Sequence, residues 1–109
     1  MKYDDIKKGK MYISHNKDNV GHPSLVVYKN KKNRNITIIK FTHDSKNKNV
    51  EKEPLIVSIY PDDSKKTYVI KFPYDVKSKY ISKSRKFDNY KVNKKDKYRI
   101  DRIKRRKAK

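Results

Sequence analysis

The chain has 109 residues, no cysteine, no tryptophan and two glycines, and its 32 Lys and Arg against 12 Asp and Glu give a formal net charge of +20. Those figures exclude a disulfide framework, a thiolate metal site and a glycine-rich nucleotide loop. A surface so one-sided in charge repels itself in the compact state, so a polyanionic partner is expected, nucleic acid first. Abundant Lys, Asn, Ile and Tyr also fit an AT-rich coding sequence, which explains many lysines but not the shortage of carboxylates.

The length fits a single domain over 1–109, and Leu, Ile, Val and Phe supply only 24 residues, so one small core padded by the nine Tyr is expected. No window is apolar enough for a signal peptide or a membrane span. The chain therefore reads as soluble and cytoplasmic, with no membrane partner.

In chain order, apolar bursts occur at Met11–Ile13, Leu25–Tyr28, Ile36–Phe41, Leu55–Tyr60 and Thr67–Ile70. Each is β-branched or aromatic and bounded by Asn, Asp, Lys or Pro, which predicts strands and a mainly β domain. The polar stretch 29–35 suits a hairpin loop that makes the second and third strands antiparallel neighbours. Residues 44–54 read as a longer exposed loop and 61–64 as a turn. Beyond Pro73 a short strand or turn and then a loop are expected. From Asn93 a helix is predicted over 93–107: Asn93 caps it, Asp96 sits at its third position, and Lys and Arg crowd its last turns.

Three histidines are the residues poised to exchange protons near neutral pH. His22 enters the second strand and His43 leaves the third, so the hairpin places both at the end opposite its turn. Two imidazoles there are suited to general acid and base steps in RNA strand cleavage, with Lys40 or Lys71 stabilising the phosphorane. The bland alternative is that they are polar loop residues. The histidines show no metal-ligand spacing, and no cofactor is called for. Candidate phosphate contacts are Lys29, Lys31, Lys32 and Arg34 in the hairpin, Lys40, Lys71, Lys77, Lys79 and Arg85 beyond it, and Arg99, Arg102, Arg105 and Arg106 in the helix. Tyr74 and Tyr80, in Lys-rich surroundings, are the candidates for stacking on unpaired bases.

The order of motifs resembles the MazF/PemK-like family of small toxins that cut mRNA in toxin–antitoxin systems. The segment 6–13, with its Lys8-Gly9-Lys10 lead into a strand, is similar to that family's opening. Gly21-His22-Pro23 before Leu25-Val26-Val27 resembles its glycine, basic residue, proline and apolar strand. Phe41-Thr42 resembles the strand end that carries an active-site hydroxyl, and 68–81 resembles a later strand and lysine turn. The resemblance implies an SH3-like β-barrel of five to six strands over 1–90, a C-terminal basic helix, often a homodimer, and a small acidic antitoxin as partner. It implies His22 and Thr42 as site residues, with His43 added on chemical grounds. Where the family carries arginine before the proline, this chain has His22. The competing readings are a non-catalytic nucleic-acid-binding module of plasmid or phage type and an inhibitor of a nucleic-acid-processing complex.

Overall fold

The structure is a computed structural model, and it describes residues 1–18, 21–59, 65–88 and 90–109. The strands are β1 (Met11–His15), β2 (Gly21–Lys29), β3 (Asn35–Thr42), β4 (Tyr68–Val69), β5 (Tyr74–Lys77) and β6 (Ile81–Ser82), and one helix, α1 (Lys94–Lys104), follows. Short 3-10 turns cover 3–5, 78–80 and 85–87. The mainly β fold with a C-terminal helix expected from the apolar bursts is what the structure shows.

The β2–β3 hairpin forms where the Asn-rich loop stands. Asn30 Oδ1 accepts from the Lys32 amide at 2.9 Å, Asn33 Oδ1 accepts from the Asn35 amide at 2.9 Å, and Arg34 takes a left-handed φ of 60°. Asparagine side chains that mimic backbone acceptors hold such turns without glycine. The strand order is β4-β3-β2-β1-β6, with β5 pairing off that path along the first half of β3. This path of hydrogen bonds is open, not the closed ring of a barrel. Its two sides are joined by the chain itself: Lys77 pairs with Asn35 of β3, and four residues later Ile81 pairs with Ser14 of β1.

Register divides the side chains between two faces. Tyr12, Ser24 and Lys40 stand opposite one another across β1, β2 and β3, as do Met11, Leu25 and Ile39. The first face holds a cluster of Tyr3, Ile6, Tyr12, Val26, Ile36, Ile38 and Ile81. The second holds Leu25, Val27, Ile39 and Phe41 against Leu55, Ile59, Val69, Phe87, Ile100 and Ile103. Instead of one small core, the sheet separates two, which is why Leu25, Val26 and Val27 are buried in succession.

Between Val26 and Tyr28 the register of β2 against β3 slips, a β-bulge that leaves Tyr28 opposite Thr37. Two consecutive residues, Val27 and Tyr28, therefore share the second face.

The segment 55–59 is not the strand that its apolar character predicts. Asp96, fully buried in the first turn of α1, accepts the Ile56 amide at 3.0 Å and the Val57 amide at 3.1 Å. Leu55 and Ile59 donate to Thr67, through its carbonyl at 2.8 Å and its hydroxyl at 3.0 Å. With its donors spent on a helix and one threonine, the segment has no ladder to join. Tyr60 and the turn expected at 61–64 lie outside the described residues. The loop at 44–54 is exposed over most of its length, yet Val50 is buried and bridges Ile70.

Asn93 caps α1 as expected, accepting from the Lys95 amide at 2.9 Å. The helix stops at Lys104 and not at Lys107. The chain then returns to the sheet, where Lys109 donates to the Pro73 carbonyl at 2.9 Å and accepts from the Asp75 amide at 3.2 Å. The Asp96 carboxylate also acts on Tyr90, whose phenol is pushed up to about 12 by burial and by that negative charge.

Replacing Asp96 by Ala orphans two backbone donors beside the second core and is expected to cost about 2–4 kcal/mol in urea unfolding. Tyr98→Ala, at an exposed position of the same helix, is expected to stay within about 0.5 kcal/mol. Equal midpoints for the two variants would show that the Asp96 clamp carries no stability.

Candidate nucleic-acid interface

The polar end of the first face is built around the entry of β2. Ser14 stands opposite His22 and Tyr12 opposite Ser24. The buried Ser14 and Ser24 hydroxyls lie 2.7 Å apart, and Ser24 donates to the His22 carbonyl at 3.0 Å. This pair fixes the backbone that carries His22. The residue before it must be small: a Cβ on Gly21 would come within 2.8 Å of Ile13 Cγ2 and 3.4 Å of the His15 ring. Pro23 lacks an amide proton and sits opposite Ile13 on β1.

His22 is half-buried, and its imidazole is held below the ordinary 6.5 by burial first and by the Lys40 charge second, against a hydrogen bond with the Phe41 backbone that raises it. Lys40 is itself lowered from 10.5 by burial, and its Nζ lies 4.4 Å from the centre of the Tyr74 ring. An imidazole biased toward its neutral form thus lies within electrostatic reach of a partly buried ammonium. That combination suits a proton acceptor beside an anion-stabilising cation.

The other residues singled out from sequence fall in different settings. Thr42 is buried at the end of β3, and its hydroxyl accepts the Asp44 amide at 3.1 Å, closing a turn. His43 lies in the bend after β3 and is exposed; the charged neighbour acting on His22 is Lys40. Tyr74 and Tyr80 are half-buried, and Lys79 lies 5.2 Å from the Tyr80 ring.

In the hairpin, Lys29 and Arg34 lie 4.3 and 4.7 Å from the Tyr3 ring, while Lys31 and Lys32 are exposed at the tip. Lys77 donates to the Asn33 carbonyl at 3.1 Å and so braces the hairpin. Arg85, Arg102 and Arg105 are exposed. Arg99 and Arg106 act as fasteners. Arg99 donates to the Pro54 carbonyl at 2.8 Å and to that of Glu53, and Arg106 to the carbonyl of half-buried Lys71 at 2.8 Å while pairing with Glu51 at 3.4 Å.

The sequence reading missed Tyr28, which is 42% exposed, with Lys8 and Lys104 each 5.7 Å from its ring centre. Strand alternation alone would place it with Val26 on the first face; only the bulge turns it to the second. Among the described residues, no group of three or more His, Asp or Glu is placed to hold a metal ion, and no helix is long and apolar enough to cross a membrane. Comparison with protein-family models, with curated proteins and with solved structures gives no match.

The lowered His22 value has a definite consequence for stability. Above about pH 6.5 His22 is neutral in both states and contributes no pH dependence. As the pH falls from there through the lowered folded value, the unfolded chain takes up a proton that the folded chain refuses, and stability declines. In an NMR titration His22 is expected to titrate below 6.5, and to move upward in Lys40→Met. A His22 midpoint at or above 6.5 in the native protein would contradict that effect of burial and the Lys40 charge.

Proposed function

We propose that this chain is a cytoplasmic nucleic-acid-binding protein that takes single-stranded RNA by its phosphate backbone, in the manner of the MazF/PemK-like proteins whose motifs it resembles. The observation that carries the proposal is the charge. With 32 cations and 12 carboxylates, at least 20 cations have no carboxylate of their own. The fold also consumes part of the acidic side: Asp96 clamps 56–57, Glu51 pairs with Arg106 and Asp101 pairs with Lys104. Exposed lysines and arginines on the hairpin tip, on 79–86 and on α1 are left to meet phosphates.

A second reading, strand cleavage, is favoured by the half-buried His22 with Lys40 acting on it. Neutral His22 would accept the proton of a ribose 2′-hydroxyl as its oxygen attacks the adjacent phosphorus. Lys40 would stabilise the negative charge of the five-coordinate phosphorus. The leaving 5′-oxygen needs a proton, for which His43 is the candidate named by the sequence. The products would be a 2′,3′-cyclic phosphate and a 5′-hydroxyl.

Binding is tested with a fluorescein-labelled oligouridylate titrated at several salt concentrations. The logarithm of affinity is expected to fall linearly with that of salt, with a slope of about −0.7 per phosphate neutralised. A flat response would remove the charge as a reason for binding. Cleavage is tested separately on long unstructured RNA in chelator: discrete fragments that vanish in His22→Ala support it. Intact RNA at excess protein leaves a binding protein without nuclease activity.

A further inference from the structure

The second face carries a groove of about 1130 Å³, walled by the 7–12 segment, β2, residues 83–88 and 90–92, and α1. Exposed Lys7, Lys8, Lys10, Lys83 and Lys97 line it. Among the described residues, no carboxylate pairs with any of these five side chains. Lys104, also in the lining, pairs with Asp101 at 3.5 Å. Lys8 and Lys104 both reach the ring of Tyr28, so this exposed aromatic stands beside the groove.

The floor helps to identify the occupant. Leu25, Val27, Phe87 and Ile100 line the groove, yet they are only 7%, 6%, 6% and 2% exposed, already covered by their own core. An apolar helix face laid on them would remove little further area from water, and apolar affinity scales with that area. The lining also holds partly buried Met11, Tyr90 and Val92 and the exposed carboxylates of Asp5 and Asp88, but the exposed ammonium groups outnumber those carboxylates, and the exposed Tyr28 ring stands beside them. These are the components of a single-strand nucleic-acid site: cations along a backbone and a sequence-tolerant stacking platform.

We infer that this groove binds a short single-stranded stretch of nucleic acid, with phosphates on Lys8, Lys97, Lys104 and their neighbours and one base stacked on Tyr28. The inference rests on the nucleic-acid reading above and assigns it a place distinct from the His22–Lys40 pair. In the unbound chain Lys8 and Lys104 lie over the Tyr28 ring in exposed cation–π contacts, which are weak in water. A bound nucleotide exchanges them for a base on the ring and a phosphate for the displaced ammonium groups.

The test uses the full chain and a labelled oligouridylate, with Tyr28→Ala, the double variant Lys8→Gln/Lys104→Gln, and Tyr98→Ala as comparator. Tyr98 is an exposed tyrosine of α1 that, unlike Tyr28, has neither Lys8 nor Lys104 over its ring. Tyr28→Ala is expected to weaken binding by about fivefold or more with the salt slope unchanged, because stacking carries no charge. The double variant is expected to flatten the slope, and Tyr98→Ala to bind as the parent does. Ultraviolet cross-linking is expected to place the oligonucleotide on Tyr28.

If the parent binds with a steep salt slope but Tyr28→Ala and the double variant bind equally well, the groove is not the site, and the general reading survives without it. If the parent does not bind even at low salt, the general reading fails and takes the groove with it. If an oligoglutamate peptide binds and is lost in the double variant while RNA binding is untouched, the groove belongs to an acidic protein and the inference is overturned.

Discussion

The constraint on which the structure depends is the burial of β2 and β3 on both faces. A chain with so few large apolar residues cannot fill a wide interior, and it meets that limit by using the same two strands twice. Ile36 and Ile38 pack under Tyr3 and Ile6, while Ile39 and Phe41 pack under α1 and the 55–59 segment. The second face needs a cover, and the cover has no ladder of its own. Asp96, Arg99 and Arg106 therefore fasten it by reaching to backbone groups of 53–57 and 71.

This arrangement sharpens the electrostatic imbalance. Of the carboxylates, Asp96 is withdrawn from the surface at zero exposure, whereas Asp75 and Asp44 stay exposed while accepting from the Thr37 hydroxyl and the Lys46 amide. Arg99 and Arg106 are engaged mainly with carbonyls and neutralise little acidic charge. The fold thus buries one acid as a hydrogen-bond acceptor, and the excess of lysines facing water follows from the composition. Repulsion among those lysines favours any ligand that brings phosphates to them.

Much of this was legible in the sequence. The apolar bursts gave β1, β2 and β3, the Asn-rich stretch gave their hairpin, and Asn93 marked the start of α1. The setting of His22 was partly legible, because pairing through the hairpin brings the end of β3 back to the start of β2. What failed did so for long-range reasons. Leu55–Ile59 has the composition of a strand, but its amides are claimed by Asp96 and Thr67, which no local pattern reveals. Tyr74 seemed exposed for lack of apolar neighbours, yet β5 lays it beside Ile38 and under Lys40. Tyr28 looked like an ordinary strand residue because a bulge has no reliable signature in a Val-Val-Tyr run.

The two polar sites lie on opposite faces of β2 and near its opposite ends. His22 and Tyr28 are six residues apart along the strand, or about 20 Å at the usual rise. A nucleotide stacked on Tyr28 is therefore too far from Lys40 to be the one whose phosphate that ammonium would stabilise. Any strand that engages both sites must pass around an edge of the sheet, and the hairpin tip, with Lys31 and Lys32 exposed, offers a positively charged path. On the proposed reading, holding a strand and acting on it would fall to separate places on one small domain. A change at Tyr28 would alter how much RNA is held, whereas a change at His22 would alter what happens to it.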